Sequence, residues 1–81
     1  MNDKLSALKY QYNNALERNK KAEEYFKNHT VEECINKQYK NGTALDIFNQ
    51  VVKELSGLTI EIEAVMGKYM TTYEKLNGFK L

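Results

Sequence analysis

The sequence predicts an all-α protein, an antiparallel hairpin of two long heptad-patterned helices with a short helix between them. The 81 residues contain no proline and only four glycines, so few positions would interrupt a helix. Hydrophobic residues make up 42% of the chain and charged residues 28%, which is typical of a chain that folds. Apolar residues recur at alternating intervals of three and four, which is the heptad period. We expect a single helical domain over residues 1–81.

The first helix is predicted over residues 3–28, where one seam of heptad positions runs along the whole length. The seam consists of Leu5, Leu8, Tyr12, Ala15, Asn19, Ala22 and Phe26. Asn19 is its one polar member. A single Asn at such a position can fix the register and the number of helices that associate, at some cost in stability.

The short second helix is predicted over residues 31–40. Thr30 and Glu33 have the spacing of a capping box, in which each side chain accepts a hydrogen bond from a backbone amide at the helix start. Asn41 and Gly42 provide residues that commonly end a helix, because both tolerate a left-handed backbone conformation.

The long third helix is predicted over residues 44–77, with Thr43 as its N-cap. Its seam consists of Leu45, Phe48, Val52, Leu55, Thr59, Ile62, Met66, Tyr69, Tyr73 and Leu76. The adjacent Val51, Leu58 and Val65 make the apolar stripe wider than one neighbouring helix requires. Gly57 allows a kink or a break near residue 57, but the uninterrupted register favours one continuous helix.

Self-association is the expected means of completing the core. A single core in 81 residues is marginal, and the lone Cys34 cannot form an internal disulfide. The predicted first and third helices would be about 39 Å and about 51 Å long, which leaves an apolar overhang of about 12 Å. We therefore expect a homo-oligomer, a dimer or higher, that forms a helical bundle. The expected oligomer or partner interface comprises Tyr12, Asn19, Phe26, Leu58, Val65, Tyr69, Tyr73, Leu76 and Phe79.

Motifs for catalysis and cofactor binding are missing from the sequence. His29, Glu33 and Cys34 do not have the spacing of a nucleophile with its base or of a metal site. There is no glycine-rich phosphate loop and no His-Glu-x-x-His run. We therefore expect a protein that is not an enzyme, with no catalytic residues, no metal and no cofactor.

Three functions fit these observations. The first is a non-catalytic helical module that self-associates and binds another protein as an adaptor, regulator or inhibitor. The second is an oligomer that sequesters an anionic metabolite or nucleotide. The third is a DNA-binding regulator built on residues 30–55, although a net charge of +1 and the lack of Arg in the second half of that segment argue against nucleic acid.

A cluster of basic residues near the end of the first helix is the candidate anion-binding site. It comprises Arg18, Lys20, Lys21, Lys27 and His29. The acidic residues Glu17, Glu23 and Glu24 lie among them, so the same segment also fits a solvated charged face.

The expected location is the cytoplasm, without membrane contact. The first residues lack a basic region followed by an apolar run, and no stretch approaches the roughly 18 consecutive apolar residues of a membrane span. The abundance of Lys, Asn, Ile and Tyr is typical of AT-rich genomes, which favours a bacterial, phage or other mobile-element source.

Overall fold

The structure, a computed structural model, describes residues 3–80, so residues 1, 2 and 81 lie outside it. It contains four helices, α1 (Asp3–Asn28), α2 (Val31–Asn36), α3 (Ala44–Met66) and α4 (Thr72–Asn77). The described range has no strand beyond an isolated bridge between Tyr39 and Gly42. The predicted all-α class, with a short helix between two long ones, is confirmed.

The two long helices pack side by side in opposite directions. Near the end of α1 and the start of α3, the rings of Phe26 and Phe48 meet edge to face with centroids 5.2 Å apart. Further along, Arg18 Nη2 lies 2.7 Å from Glu54 Oε1. The main core cluster fills the other end of the hairpin and consists of Leu8, Tyr12, Ala15, Leu16, Leu58, Ile62 and Met70.

Helix α2 is shorter than predicted, because it ends at Asn36 rather than near residue 40. The capping box that starts it is present, with the Thr30 hydroxyl accepting from the Glu33 amide and the Glu33 carboxylate accepting from the Thr30 amide. After α2, Tyr39 and Gly42 exchange two backbone hydrogen bonds of 2.9 and 3.2 Å. This narrow turn uses the positive φ of Gly42, 110°, and leads directly to the Thr43 cap of α3.

The single helix predicted over residues 44–77 is wrong in its last third. Helix α3 passes Gly57 without interruption and ends at Met66. Gly67 adopts the left-handed conformation, with φ 72°, and its amide donates to the Glu63 carbonyl. A left-handed glycine after the last helical residue is a common way to end a helix, because it has no Cβ to collide with the backbone.

Residues 67–80, which we call the C-terminal segment, fold back instead of extending as an overhang. The Met70 amide donates to Glu63 Oε2 at 2.8 Å, and Thr71 begins α4 with a third capping box, formed with Glu74. Because α3 ends at Met66, it is about 35 Å long against about 39 Å for α1. The predicted 12 Å overhang therefore does not exist.

Three residues of α1 hold the C-terminal segment in place. The Asn13 amide donates to the Phe79 carbonyl at 2.8 Å, and the Phe79 amide donates back to Asn13 Oδ1 at 2.8 Å. The Tyr12 hydroxyl donates to the Lys75 carbonyl at 2.8 Å, and its ring meets the Phe79 ring edge to face. Lys9 Nζ lies 5.2 Å from the centre of the Phe79 ring. The segment thus packs on α1, where the prediction had placed the end of the third helix beyond α1 without a partner in the same chain.

The side of α3 that packs on α1 is rotated from the predicted seam. Residues assigned to the margin of the stripe, Val51 and Leu58, are buried. Two residues assigned to the seam, Leu45 and Val52, are 41% and 40% exposed. The rotation leaves part of the predicted seam facing away from α1, where it forms an open apolar surface.

Among the helices of residues 3–80, none combines the length and apolar composition needed to cross a membrane.

Candidate functional site

Two concave surfaces flank the contact between α1 and α3, and they share no lining residue. The first, which we call the polar cavity, has a volume of about 460 Å³ and is lined by Arg18, Lys21, Ala22, Tyr25, Tyr39, Asn41, Ala44, Ile47, Gln50, Val51 and Glu54. The second, which we call the apolar groove, has a volume of about 450 Å³ and is lined by Tyr12, Asn19, Phe48, Val52, Leu55, Ser56, Thr59, Ile60 and Lys75.

The apolar groove exists because α3 turns part of its wide apolar stripe away from α1. Phe48, Val52, Leu55 and Thr59 follow one another at intervals of three and four, so they form a continuous ridge along the helix. Ile60, at the edge of the groove, is 69% exposed. Anchors at this spacing are one of the ways in which a helix contacts another helix or a groove.

Asn19 lines this groove from the α1 side with an unsatisfied polar atom. Its Nδ2 group lies 3.3 Å from Glu23 Oε1, but its buried Oδ1 has no hydrogen-bond partner within residues 3–80. A buried acceptor without a donor costs about 1–3 kcal/mol. The single chain therefore carries an unsatisfied acceptor next to the groove.

The polar cavity gathers charged, amide and hydroxyl groups around an apolar floor. Arg18 and Lys21 lie one turn apart on α1 and both line the cavity. Glu54 of α3 accepts a hydrogen bond from Arg18 at 2.7 Å, and both side chains are about half exposed. Lys21 Nζ lies 3.8 Å from Glu17 Oε1, which is a long and exposed contact that contributes little.

An aromatic cluster closes one side of the polar cavity. The Tyr25 ring stacks on His29 with centroids 3.7 Å apart, and the Tyr25 hydroxyl is hydrogen-bonded to the Tyr39 hydroxyl. That bond to Tyr39 is the main reason that the pKa of Tyr25 is raised to about 12. The pair links α1 to the turn before α3, so it sets the width of the cavity at this side.

The predicted anion-binding residues fall into two groups. Arg18 and Lys21 line the polar cavity, whereas Lys20 and Lys27 are not among its lining residues. His29 supports the cavity indirectly, through its stack on Tyr25 and the 2.9 Å contact between its Nδ1 and the Tyr25 carbonyl. Tyr25, Tyr39 and Gln50 were not predicted, although Tyr25 lies four residues after Lys21 and therefore on the same side of α1.

The residues of the predicted interface do not share one environment, because some are buried, some line the apolar groove and some are exposed. Tyr12 and Leu58 are buried in the core of the single chain, and Phe79 and Val65 pack against that core. Phe26 contacts Phe48, and Asn19 lines the apolar groove. Tyr69, Tyr73 and Leu76 are exposed on the C-terminal segment. Only part of the set is therefore accessible to a partner.

Metal-binding residue types do not cluster in the part of the chain that the structure describes. Within residues 3–80, no group of three or more His, Cys, Asp or Glu side chains is placed to hold a metal ion. Cys34 is buried against the hairpin as a free thiol. The groups that do converge, in the polar cavity, are suited to binding by charge and hydrogen bonds.

No protein-family model, curated protein or solved structure matches this chain. The polar cavity, the apolar groove and the exposed C-terminal segment are therefore its candidate functional surfaces.

Proposed function

We propose that this protein is a non-catalytic helical interaction module, acting as an adaptor, regulator or inhibitor, that pairs with a second copy of itself and binds another protein. The observation that carries the proposal is the apolar groove. Val52 in its ridge is 40% exposed, and Ile60 at its edge is 69% exposed. Two hairpins joined through this groove would form a four-helix bundle.

The shape of the chain supports a second copy as the occupant of the groove. The radius of gyration is 14.5 Å, whereas a compact chain of this length has about 11.7 Å. The accessible surface is 6002 Å². A compact monomer of this mass exposes about 5,050 Å², so the excess is about 950 Å². One partner in a stable interface of standard size contributes about 800 Å².

Asn19 supports self-pairing through its hydrogen-bonding chemistry. An amide side chain carries both a donor and an acceptor, so two Asn19 side chains related by a two-fold axis can satisfy each other. The Oδ1 atom has no partner within residues 3–80, and a rotation of the Asn19 side chain toward the groove would let it accept a hydrogen bond from the second copy. The same bond would favour a dimer in one register over alternatives, because any shift leaves two buried amides unpaired.

Analytical ultracentrifugation of wild type and two variants tests the self-pairing. Wild type is expected to sediment as a dimer of the 9.5 kDa chain. Ile60→Lys adds a charge to the groove and is expected to weaken dimerisation by more than about tenfold, because each dimer gains two desolvated charges. Val31→Lys is the matched control, since Val31 is 76% exposed on α2 and does not line the groove. A wild type that stays monomeric, or equal effects of both variants, would contradict the proposal.

The C-terminal segment is the surface we assign to the other protein partner. Tyr69, Tyr73 and Leu76 are all exposed, with Tyr69 at 86%, and none of them lines the groove. Exposed aromatic residues contribute much of the binding energy at protein interfaces. Tyr73→Lys is expected to abolish direct binding of a partner isolated with wild type while leaving the dimer mass unchanged. Loss of both properties together would argue against two separate surfaces.

A further inference from the structure

The polar cavity is separate from both surfaces used above. It lies on the opposite side of the α1 and α3 contact from the apolar groove, and it is formed by one chain alone. Its volume of about 460 Å³ is within the range of pockets that hold small organic ligands. Its floor is apolar and contains two alanines, Ala22 and Ala44, whose small side chains let a flat ring approach the helices.

The two cationic side chains of the cavity can donate further hydrogen bonds. Arg18 gives one N–H of its guanidinium to Glu54, whereas the group carries five N–H donors in a planar fork. Among residues 3–80, the only ion pair of Lys21 is the 3.8 Å contact with Glu17. Because Arg18 and Lys21 lie one turn apart, a single phosphate or carboxylate group can contact both.

The uncharged groups of the cavity can recognise the rest of a ligand. Asn41 and Gln50 each offer an amide donor and an amide acceptor, which suits the edge of a nitrogen-containing ring. The Tyr25 and Tyr39 rings stand nearly perpendicular, at 84°, and bound the space on the side of the turn. Charge, ring-edge groups and an apolar floor therefore meet within one small volume.

We propose that the polar cavity binds a small organic anion with a planar nitrogen-containing ring, the chemical class that includes purine mononucleotides. Arg18 and Lys21 contact the anionic group, Asn41 and Gln50 contact the edge of the ring, and the apolar floor holds its face. Glu54 opposes binding, because its carboxylate competes with the ligand for Arg18. This site does not depend on self-pairing, so it stands or falls separately from the interaction module.

Titration of the full chain with adenosine monophosphate, followed by NMR of the backbone amides, tests the site. We expect saturable shifts at amides around the polar cavity and none along the apolar groove. Adenosine and inorganic phosphate, used as separate probes, are each expected to bind at least about tenfold more weakly, because each lacks one half of the recognised chemistry. Adenosine binding as tightly as the nucleotide, or no saturable shift with the nucleotide, overturns the proposal.

Four variants separate recognition by the cavity from a general charge effect. Arg18→Gln is expected to weaken nucleotide binding by about tenfold or more and Lys21→Gln by a smaller factor, because each removes a charge-assisted hydrogen bond. Lys20→Gln removes the same charge from a neighbouring residue outside the cavity and should change affinity less than about twofold. Glu54→Gln is expected to strengthen binding about threefold by releasing Arg18. Equal effects of Arg18→Gln and Lys20→Gln, or weaker binding by Glu54→Gln, overturn the proposal.

Discussion

The two ends of the hairpin are built from the same local elements but are packed differently. At each end a short helix begins with a threonine capping box, at Thr30 for α2 and at Thr71 for α4. We call the end with the C-terminal segment the closed end, because there Asn13 and Tyr12 of α1 bind the backbone of residues 75 and 79. We call the other the open end, because its polar links, Tyr25 with Tyr39 and Arg18 with Glu54, join exposed side chains.

The closed end contributes mainly to stability, whereas the open end provides space for binding. The closed end contains the main core cluster, with Ile62 fully buried at 0% exposure. The open end buries fewer large side chains and encloses the polar cavity instead. Side chains that bind backbone atoms fix a segment closely against the core, whereas a contact between two exposed hydroxyls leaves room beneath it. We therefore expect the closed end to dominate the free energy of unfolding.

The largest expected effect comes from shortening a buried isoleucine at the closed end. Ile62→Ala should lower the free energy of unfolding by about 2–5 kcal/mol, because it removes apolar contacts and leaves a cavity. Ile47→Ala is the control at the open end and should cost less than half as much, since Ile47 already borders the polar cavity. Denaturant unfolding followed by circular dichroism measures both.

If Ile62→Ala is too unstable to measure, Ile62→Val and Ile47→Val give the same comparison on a smaller scale, with about 0.5–1.5 kcal/mol expected for the buried site. If the variants at the two isoleucines lowered the free energy of unfolding equally, the two ends would not differ in stability as proposed.

An intermediate effect is expected from releasing the C-terminal segment. Asn13→Ala leaves the amide and carbonyl of Phe79 without their side-chain partners, at a cost of about 1–3 kcal/mol. The adjacent Asn14→Ala is the control, because Asn14 is exposed and should change stability by no more than about 0.5 kcal/mol. Hydrogen exchange of the Phe79 amide provides the local measurement. It should accelerate strongly in Asn13→Ala alone, and unchanged exchange there would show that the segment is held by other contacts.

The smallest expected effect concerns the tyrosine pair at the open end. Because the pKa of Tyr25 is raised from 10.0 to about 12, its protonated form stabilises the fold below pH 10.0, and this contribution is lost as the pH rises toward 12. Tyr39→Phe removes the hydroxyl that causes the shift, so the pKa of Tyr25 should fall toward 10.0. NMR titration of the Tyr25 ring measures it, with Tyr73→Phe as a control that leaves this titration unaltered. An unchanged pKa in Tyr39→Phe would mean that the hydroxyls do not pair.

Features that depend on a few adjacent residues were predictable from the sequence. The predicted helix over residues 3–28 agrees with the structure. The predicted caps at Thr30 and Thr43 also agree, because a capping box needs only four neighbouring residues. Thr71 and Glu74 repeat that motif, four residues after the left-handed Gly67. The prediction missed this break because the apolar register continued through Tyr73 and Leu76, which are in fact exposed.

The packing of α3 and the composition of the polar cavity could not be predicted in the same way. A wide apolar stripe does not determine which part faces α1, so the burial of Val51 rather than Val52 depends on contacts between helices. Arg18 and Lys21 were predicted as anion-binding residues, but Glu54, the partner of Arg18, lies 36 residues away. Such a pairing follows only from the relative position of the two long helices.

The paired hydrogen bonds between Asn13 and Phe79 close the longest loop among the side-chain contacts that link the two ends. Their two residues are 66 positions apart, whereas Tyr25 and Tyr39 are 14 apart and Arg18 and Glu54 are 36 apart. Because closing a shorter loop costs less chain entropy, we expect the contacts around the cavity to form earlier during folding. Until Phe79 reaches Asn13, the apolar face of the first helix near Leu8 and Tyr12 stays incompletely covered. Partly folded chains are thus most prone to aggregation at the end that becomes the most stable part of the finished protein.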